Sequence, residues 1–296
     1  MKKLINPTIK QATVALLLTA ISSTTVAQKQ PQIQEISVRA PDNVKVDGKM
    51  NEWTSPFLNA TKTEGFLQAY NSSSRVYYTV ANDDNNLYFV IRGLGSGVAQ
   101  KFISGGLTIT VSHATDRKRE KAPDNVALTF PIAQDLKTTK QIMGMIATVG
   151  NYVDDDSVAN RHEIESLEAI TNKMVNDAMK EIRVVGIKEI PDSVVSIYNM
   201  EGIKADIKFI KRQPIVEFAI PLKYLALSID NPVKFSYNIR SGAIQDMGQN
   251  QFPAPMVIPA AGLNANLPPP PTPGPNVGFL YNPTDFWGIY TLAKKP

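Results

Sequence analysis

The stretch SRVYYTVANDDNNLYFVIRG, residues 74–93, constrains the fold more than any other. Two runs rich in Val, Tyr, Phe and Ile flank Asn82-Asp83-Asp84-Asn85-Asn86, a tract of turn-forming residues. β-Branched and aromatic side chains suit a pleated surface, and a polar tract between two such runs marks an antiparallel hairpin. A lone hairpin is marginal in water and needs further strands to cover its apolar face. The chain supplies them. GGLTITVSH (105–113) alternates Leu107, Ile109 and Val111 with threonines, which predicts one buried and one polar face. DNVALTFPI (124–132), KADIKFI (204–210), PIVEFAIPL (214–222), VKFSYNIRSG (233–242) and DFWGIYTL (285–292) repeat the strand signal. VKVDGKMNEW (44–53) reads as another strand, turning at Asp47-Gly48 and delivering Trp53, one of two tryptophans.

The period changes once. From about 160 to 182, Ile164, Leu167, Ile170, Met174, Ala178 and Ile182 recur at steps of three and four, one face of a helix. Asn160 with Glu163 forms a capping-box variant, and Asp154 to Asp156 lie at the positive end. Gly93, Gly95 and Gly97 read as a loop that opens no helix, so they are no phosphate cradle. The tract PPPPTPGP (268–275) lies in a long loop, 252–276, because it cannot join a central strand. The expected fold is mainly β. It is an antiparallel β-sandwich, jelly-roll or immunoglobulin-like, over 41–296 as a single domain. One α-helix is inserted at about 150–200.

Residues 1–27 read as a signal peptide: Lys2, Lys3 and Lys10, an apolar run at 15–21, and small residues to Ala27. That run is shorter than the roughly 20 residues a membrane span needs. Export to the periplasm or beyond is the expectation, and the polar, Gln-rich 28–40 segment reads as a flexible tether. Three lysines leave with the leader, so the chain's 31 basic and 27 acidic residues become 28 and 27. No basic stripe remains to suit nucleic acid. With no cysteine, disulfides and thiolate metal sites are excluded.

Five segments together resemble the family 9 carbohydrate-binding modules and their DOMON-like relatives. VKVDGKMNEW is similar to that family's IDGxxDExW opening, and RVYYTVANDDNNLYFVIRG to its strand, acidic turn and returning LYV. PIVEFAIPLKYLAL, KFSYNIRSGAIQDMG and FWGIYTL resemble its later VExAIPwxxL, GFNIxxxD and FGxLxL segments, in the same order. The resemblance implies a secreted, non-catalytic β-sandwich that associates with glycan through aromatic platforms. It places Phe102 and Tyr281 at the positions of the sugar clamp, with Arg240 and Asn282 as supporting polar groups. It gives Asp47, Gly48 and Trp53 structural roles, and Trp287 is likewise read as structural. Gly105-Gly106 stand where the family has an acidic residue. A second reading is an envelope scaffold whose helix and Pro-rich loop hold a protein partner. A third is haem binding through His113, His162 or a methionine.

Enzyme signatures fail. RHEIES (161–166) starts like a zinc-protease helix but has Ser166 where the second histidine must stand. No GxSxG elbow occurs. No cofactor is expected. Asp83 and Asp84 are candidates for structural calcium, set against a role as solvated turn acids.

Overall fold

The structure is a computed structural model and describes residues 30–54, 67–133, 135–151, 158–191, 193–244 and 277–295. The signal-peptide segment and the Pro-rich loop lie outside these residues. Two antiparallel sheets face each other. Sheet A has five strands in the order β1-β2-β3-β9-β8: β1 (Ala69–Asn71), β2 (Val76–Asn82), β3 (Asn86–Gly93), β9 (Gln213–Pro221) and β8 (Lys204–Ile210). Sheet B has six in the order β11-β10-β4-β5-β6-β7: β11 (Thr284–Thr291), β10 (Lys234–Ser241), β4 (Leu107–Ser112), β5 (Val126–Phe130), β6 (Glu181–Val185) and β7 (Val194–Ser196). Early and late strands therefore interleave in both sheets. Inward-facing residues meet in one core, where Phe89 and Phe286 ring a pair of tyrosines whose hydroxyls bond at 3.1 Å, Tyr78 and Tyr237.

Sheet A is buried on both faces. Tyr78, Val80, Phe89, Ile91 and Phe218 enter the central core, while Ala81, Tyr88, Val90 and Ala219 point the other way into a second apolar cluster. Val38, Trp53 and Leu67 from the N-terminal segment cover that second face. Two expectations change here. Residues 44–46 form no strand; Val44 and Val46 pack on the second cluster as extended chain. The tether is also not free from Gln30 onward. The Gln34 amide bonds both backbone groups of Val80, and Asn82 donates to Val38 and accepts from Ala40. The segment occupies the β2 edge that the three-residue β1 leaves open, and pairing satisfies backbone groups that would otherwise be orphaned.

Four helices are described rather than one inserted helix. They are α1 (Ser96–Gly105), α2 (Leu136–Asn151), α3 (Val158–Ala178) and α4 (Val277–Tyr281). The glycine stretch does open a helix: Gly95 takes φ +83°, the turn from β3 into α1, where a side chain is disfavoured. Asp135 caps α2 by accepting from the Thr138 N–H at 2.7 Å. Helix α3 starts at Val158, so Asn160 lies inside it, and Ile182 belongs to β6. Its most buried residues are Thr171 and Val175, followed by Met179 just past its end; Met174 and Ala178 of the expected face are half-buried against the core, and Ile170 is exposed.

Helix α3 lies along β8, the outer strand of sheet A. The β8–β9 hairpin turns at Lys211-Arg212, both at positive φ, which makes Ile210 and Gln213 the closing pair. One residue back, Phe209 sits in a non-hydrogen-bonded pair and directs its backbone groups outward, which is why Pro214 is tolerated opposite it. The Asn172 amide bonds both of those groups, at 2.7 and 2.9 Å. One turn earlier, Glu168 accepts from the Lys211 and Arg212 N–H groups. One turn later, Asn176 accepts from the Lys208 ammonium. A polar stripe at i, i+4 and i+8 thus fastens the helix over an edge strand.

Candidate functional site

The residues expected to hold sugar are separated by burial. Phe102 is 0 % exposed, on the inner face of α1 within the central core, and cannot serve as a platform. Its neighbour Lys101 was not anticipated. The Lys101 ammonium is buried, donates to the Asn282 carbonyl at 2.9 Å and to Thr284 at 3.2 Å, and lies 4.1 Å from the Phe279 ring centre. Burial, and secondarily the Arg75 charge, push its pKa down to about 8. Arg75 stacks on the same ring at 4.3 Å. These contacts tie α4 and the approach to β11 to α1 and to the β1–β2 turn of sheet A. Tyr281 is 40 % exposed on α4, and the Asn282 side chain turns back to the Gly278 carbonyl. Arg240 is exposed on β10, opposite Asp285 of β11. Tyr281 and Asn282 thus lie at and just past the end of α4, and Arg240 near the end of β10, with the clamp's first aromatic buried.

The opening motif is assembled around a carboxylate. Trp53 is 1 % exposed and donates its indole N–H to Glu217 at 3.0 Å. The other Glu217 oxygen accepts from the Asp47 and Gly48 N–H groups at 3.0 and 2.8 Å. Gly48 takes φ +71°, and a Cβ there would lie 2.4 Å from Lys208. Burial pushes the Glu217 carboxyl up to about 8, against the pull of its three N–H donors. Trp287 stands half-exposed on β11 with the Arg119 guanidinium 5.0 Å from its ring centre.

The calcium candidates are committed elsewhere. Asp83 accepts from the Asn85 and Asn86 N–H groups and from the Tyr88 hydroxyl at 2.6 Å, closing the β2–β3 turn. Asp84 pairs with Arg39 at 2.8 Å, fixing the docked N-terminal segment. Among the described residues, no three Asp, Glu or His side chains are placed to share a metal. His113 is bonded to the Leu225 carbonyl at 2.8 Å, and His162 is an exposed residue of α3.

A different place has the form of a ligand site. Where the sheet edges part, the C-terminal end of α3, the outer residues of β8 and the start of the β7–β8 loop enclose a cleft of about 450 Å³. Its floor is apolar, with Phe130, Val175, Met179 and Ile207. Its walls carry Asn176 and Asp177 from α3, Lys180 just past the helix end, and Lys204, Asp206 and Lys208 from β8. Strand alternation explains the division, since Ala205 and Ile207 turn inward while Lys204, Asp206 and Lys208 turn outward. Tyr198 lines the cleft and is 75 % exposed; Met200, two residues on, is 99 % exposed. Asp206 accepts from the Ile207 N–H at 2.7 Å, and its second neighbour Lys208 lies 3.8 Å away. Burial raises the Asp206 pKa, against the Lys208 charge. A second groove, about 480 Å³, runs past Asp84 to Asn86, Lys223 and Leu227 to Asp230, but no aromatic ring among the described residues lines it.

The cleft has the volume of a small-molecule site. It combines one open aromatic ring with amide, carboxylate and ammonium groups above an apolar floor. Its residues carry no site signature in the sequence, because only the fold brings the end of α3, the start of the β7–β8 loop and the outward face of β8, all within 175–208, together with Val46 and Phe130. The one readable sign was β8 itself, whose alternating Lys, Asp and Lys mark its outward face. The chain matches no protein-family model and no curated protein.

Proposed function

We propose that the protein is a non-catalytic, exported glycan-binding module of β-sandwich build, and that its sugar site is the α3–β8 cleft. One observation carries the reading. The Tyr198 ring stands open beside Asn176, Asp206, Lys204 and Lys208 in a cleft of about 450 Å³. Sugar rings present apolar C–H faces and a rim of hydroxyls. An accessible aromatic face takes the first, and charged or amide side chains take the second. The resemblance of five ordered segments to family 9 carbohydrate-binding modules supports the same class of function, with the site moved from the clamp positions. The leader-like residues 1–27 support export.

Affinity electrophoresis against a panel of plant, algal and microbial polysaccharides tests the proposal. Retardation that Tyr198→Ala abolishes and Tyr281→Ala leaves intact supports the cleft. Retardation lost only with Tyr281→Ala moves the site to α4, and no retardation by any polysaccharide removes the reading.

A further inference from the structure

We propose that the ligand of the α3–β8 cleft is an anionic sugar, one carrying a carboxylate or sulfate. This rests on the cleft being a glycan site. Three lysines, Lys180, Lys204 and Lys208, line the cleft against two carboxylates, Asp177 and Asp206. Asp177 is already held by Lys173 at 2.6 Å, outside the lining, and Lys180 acts on it only through space. Lys208 is committed to Asn176 and Asp206. Among the described residues, Lys180 and Lys204 enter no ion pair, and both are exposed on opposite walls, one at the end of α3 and one at the start of β8. Two ammonium groups that enter no ion pair, lining one cleft, favour a ligand that brings its own negative charge. A neutral sugar would take only hydrogen bonds to its hydroxyls from them, without the charge attraction. Asp206 fits the same picture as a fixed acceptor: its Oδ1 is bonded to the Ile207 N–H, which orients the carboxylate for sugar hydroxyls beside the lysines.

The decisive experiment uses matched polysaccharides in affinity gels, a glucan against a glucuronan and a galactan against both polygalacturonate and a sulfated galactan. The protein is expected to be retarded about tenfold more strongly by at least one charged member than by its neutral partner. Lys180→Ala combined with Lys204→Ala is expected to erase that difference. Lys118→Ala with Lys121→Ala, the same loss of charge on the exposed 3-10 turn Arg117–Lys121, is expected to preserve it. Preference for the uronate gels assigns a carboxylate, and preference for the sulfated gel alone assigns a sulfate. Equal retardation by charged and neutral members overturns the anionic preference and leaves the glycan site standing. Equal loss in both double variants shows unspecific charge attraction and also overturns it. If no gel of any kind retards the protein, the glycan reading itself fails.

Discussion

Asn172 of α3 bonds both the N–H and the C=O of Phe209, so one side-chain amide stands in for a neighbouring strand on the edge of sheet A. That relation fixes the helix wall of the cleft. Asn172→Ala leaves two buried backbone groups without partners. A loss of about 1–3 kcal/mol in urea unfolding is expected. Asn172→Gln, one methylene longer, is expected to recover little of it. Unchanged stability in both variants contradicts a suturing role for Asn172.

Glu217 gives a pH signature. Its folded-state pKa of about 8 lies above the ordinary carboxylate value of 4.5, so between those values the folded protein holds a proton that the unfolded chain has released. Stability from this group is full below pH 4.5 and is lost as pH rises through about 8. Glu217→Gln cannot titrate. Its amide N–H₂ also faces an N–H donor from Trp53 or from the Asp47-Gly48 turn. The variant is therefore expected to melt below the wild type at pH 5, with the gap narrowing toward pH 9 in matched thermal scans. A gap that stays constant or widens sinks the assignment.

Phe102 and Tyr281 separate a core plug from a surface ring. Phe102→Ala is expected to cost about 3–5 kcal/mol, the usual penalty for emptying an aromatic core position. Tyr281→Ala is expected to stay within about 0.5 kcal/mol of wild type. Chemical denaturation of the two variants side by side checks both values, and a mild Phe102→Ala would mean that α1 packs less closely than described.

The strands were readable where the code is local. In β2, β3 and β9, contiguous Val, Ile, Tyr and Phe with polar turns leave little freedom, and the hairpin at 74–93 forms as its residues dictate. β1 and β7 have three residues each, too few to show a period. α2 mixes threonines, Gly144 and β-branched residues, which hides the spacing of Ile142, Ile146 and Val149. The expected α3 face packs on the core at Met174 and Ala178 but leaves Ile170 exposed, because the helix orientation answers to Glu168, Asn172 and Asn176 meeting the β8 edge. Trp53 and Glu217 are 164 residues apart, so no local pattern announces that a polar position in VEFAIP is the centre of a buried knot. The cleft lies almost wholly within 175–208, but a helix, a loop and a strand meet there only in the fold, so no single period marks it.

Ligand retention should also depend on pH through Asp206, whose carboxyl burial holds above the usual range. Lys208 on β8 and Asp47 and Lys49 on the N-terminal segment act on it, and Asn176, Asp177 and Lys180 face it across the cleft. Protonating Asp206 removes a negative charge beside an anionic sugar, whose own carboxylate stays ionised to about pH 4. Retention of a uronate polymer is expected to rise as falling pH protonates Asp206, and Asp206→Asn is expected to remove that rise. A wild-type profile that only falls on acidification rules out an anionic ligand beside Asp206.

The most direct test is amide chemical-shift mapping of labelled protein titrated with whichever polysaccharide fragment retards it in the gel. The cleft account predicts perturbations gathered at 176–180, 197–198 and 204–208. Perturbations gathered instead at 279–285 and Arg240, or spread without a focus, would contradict it.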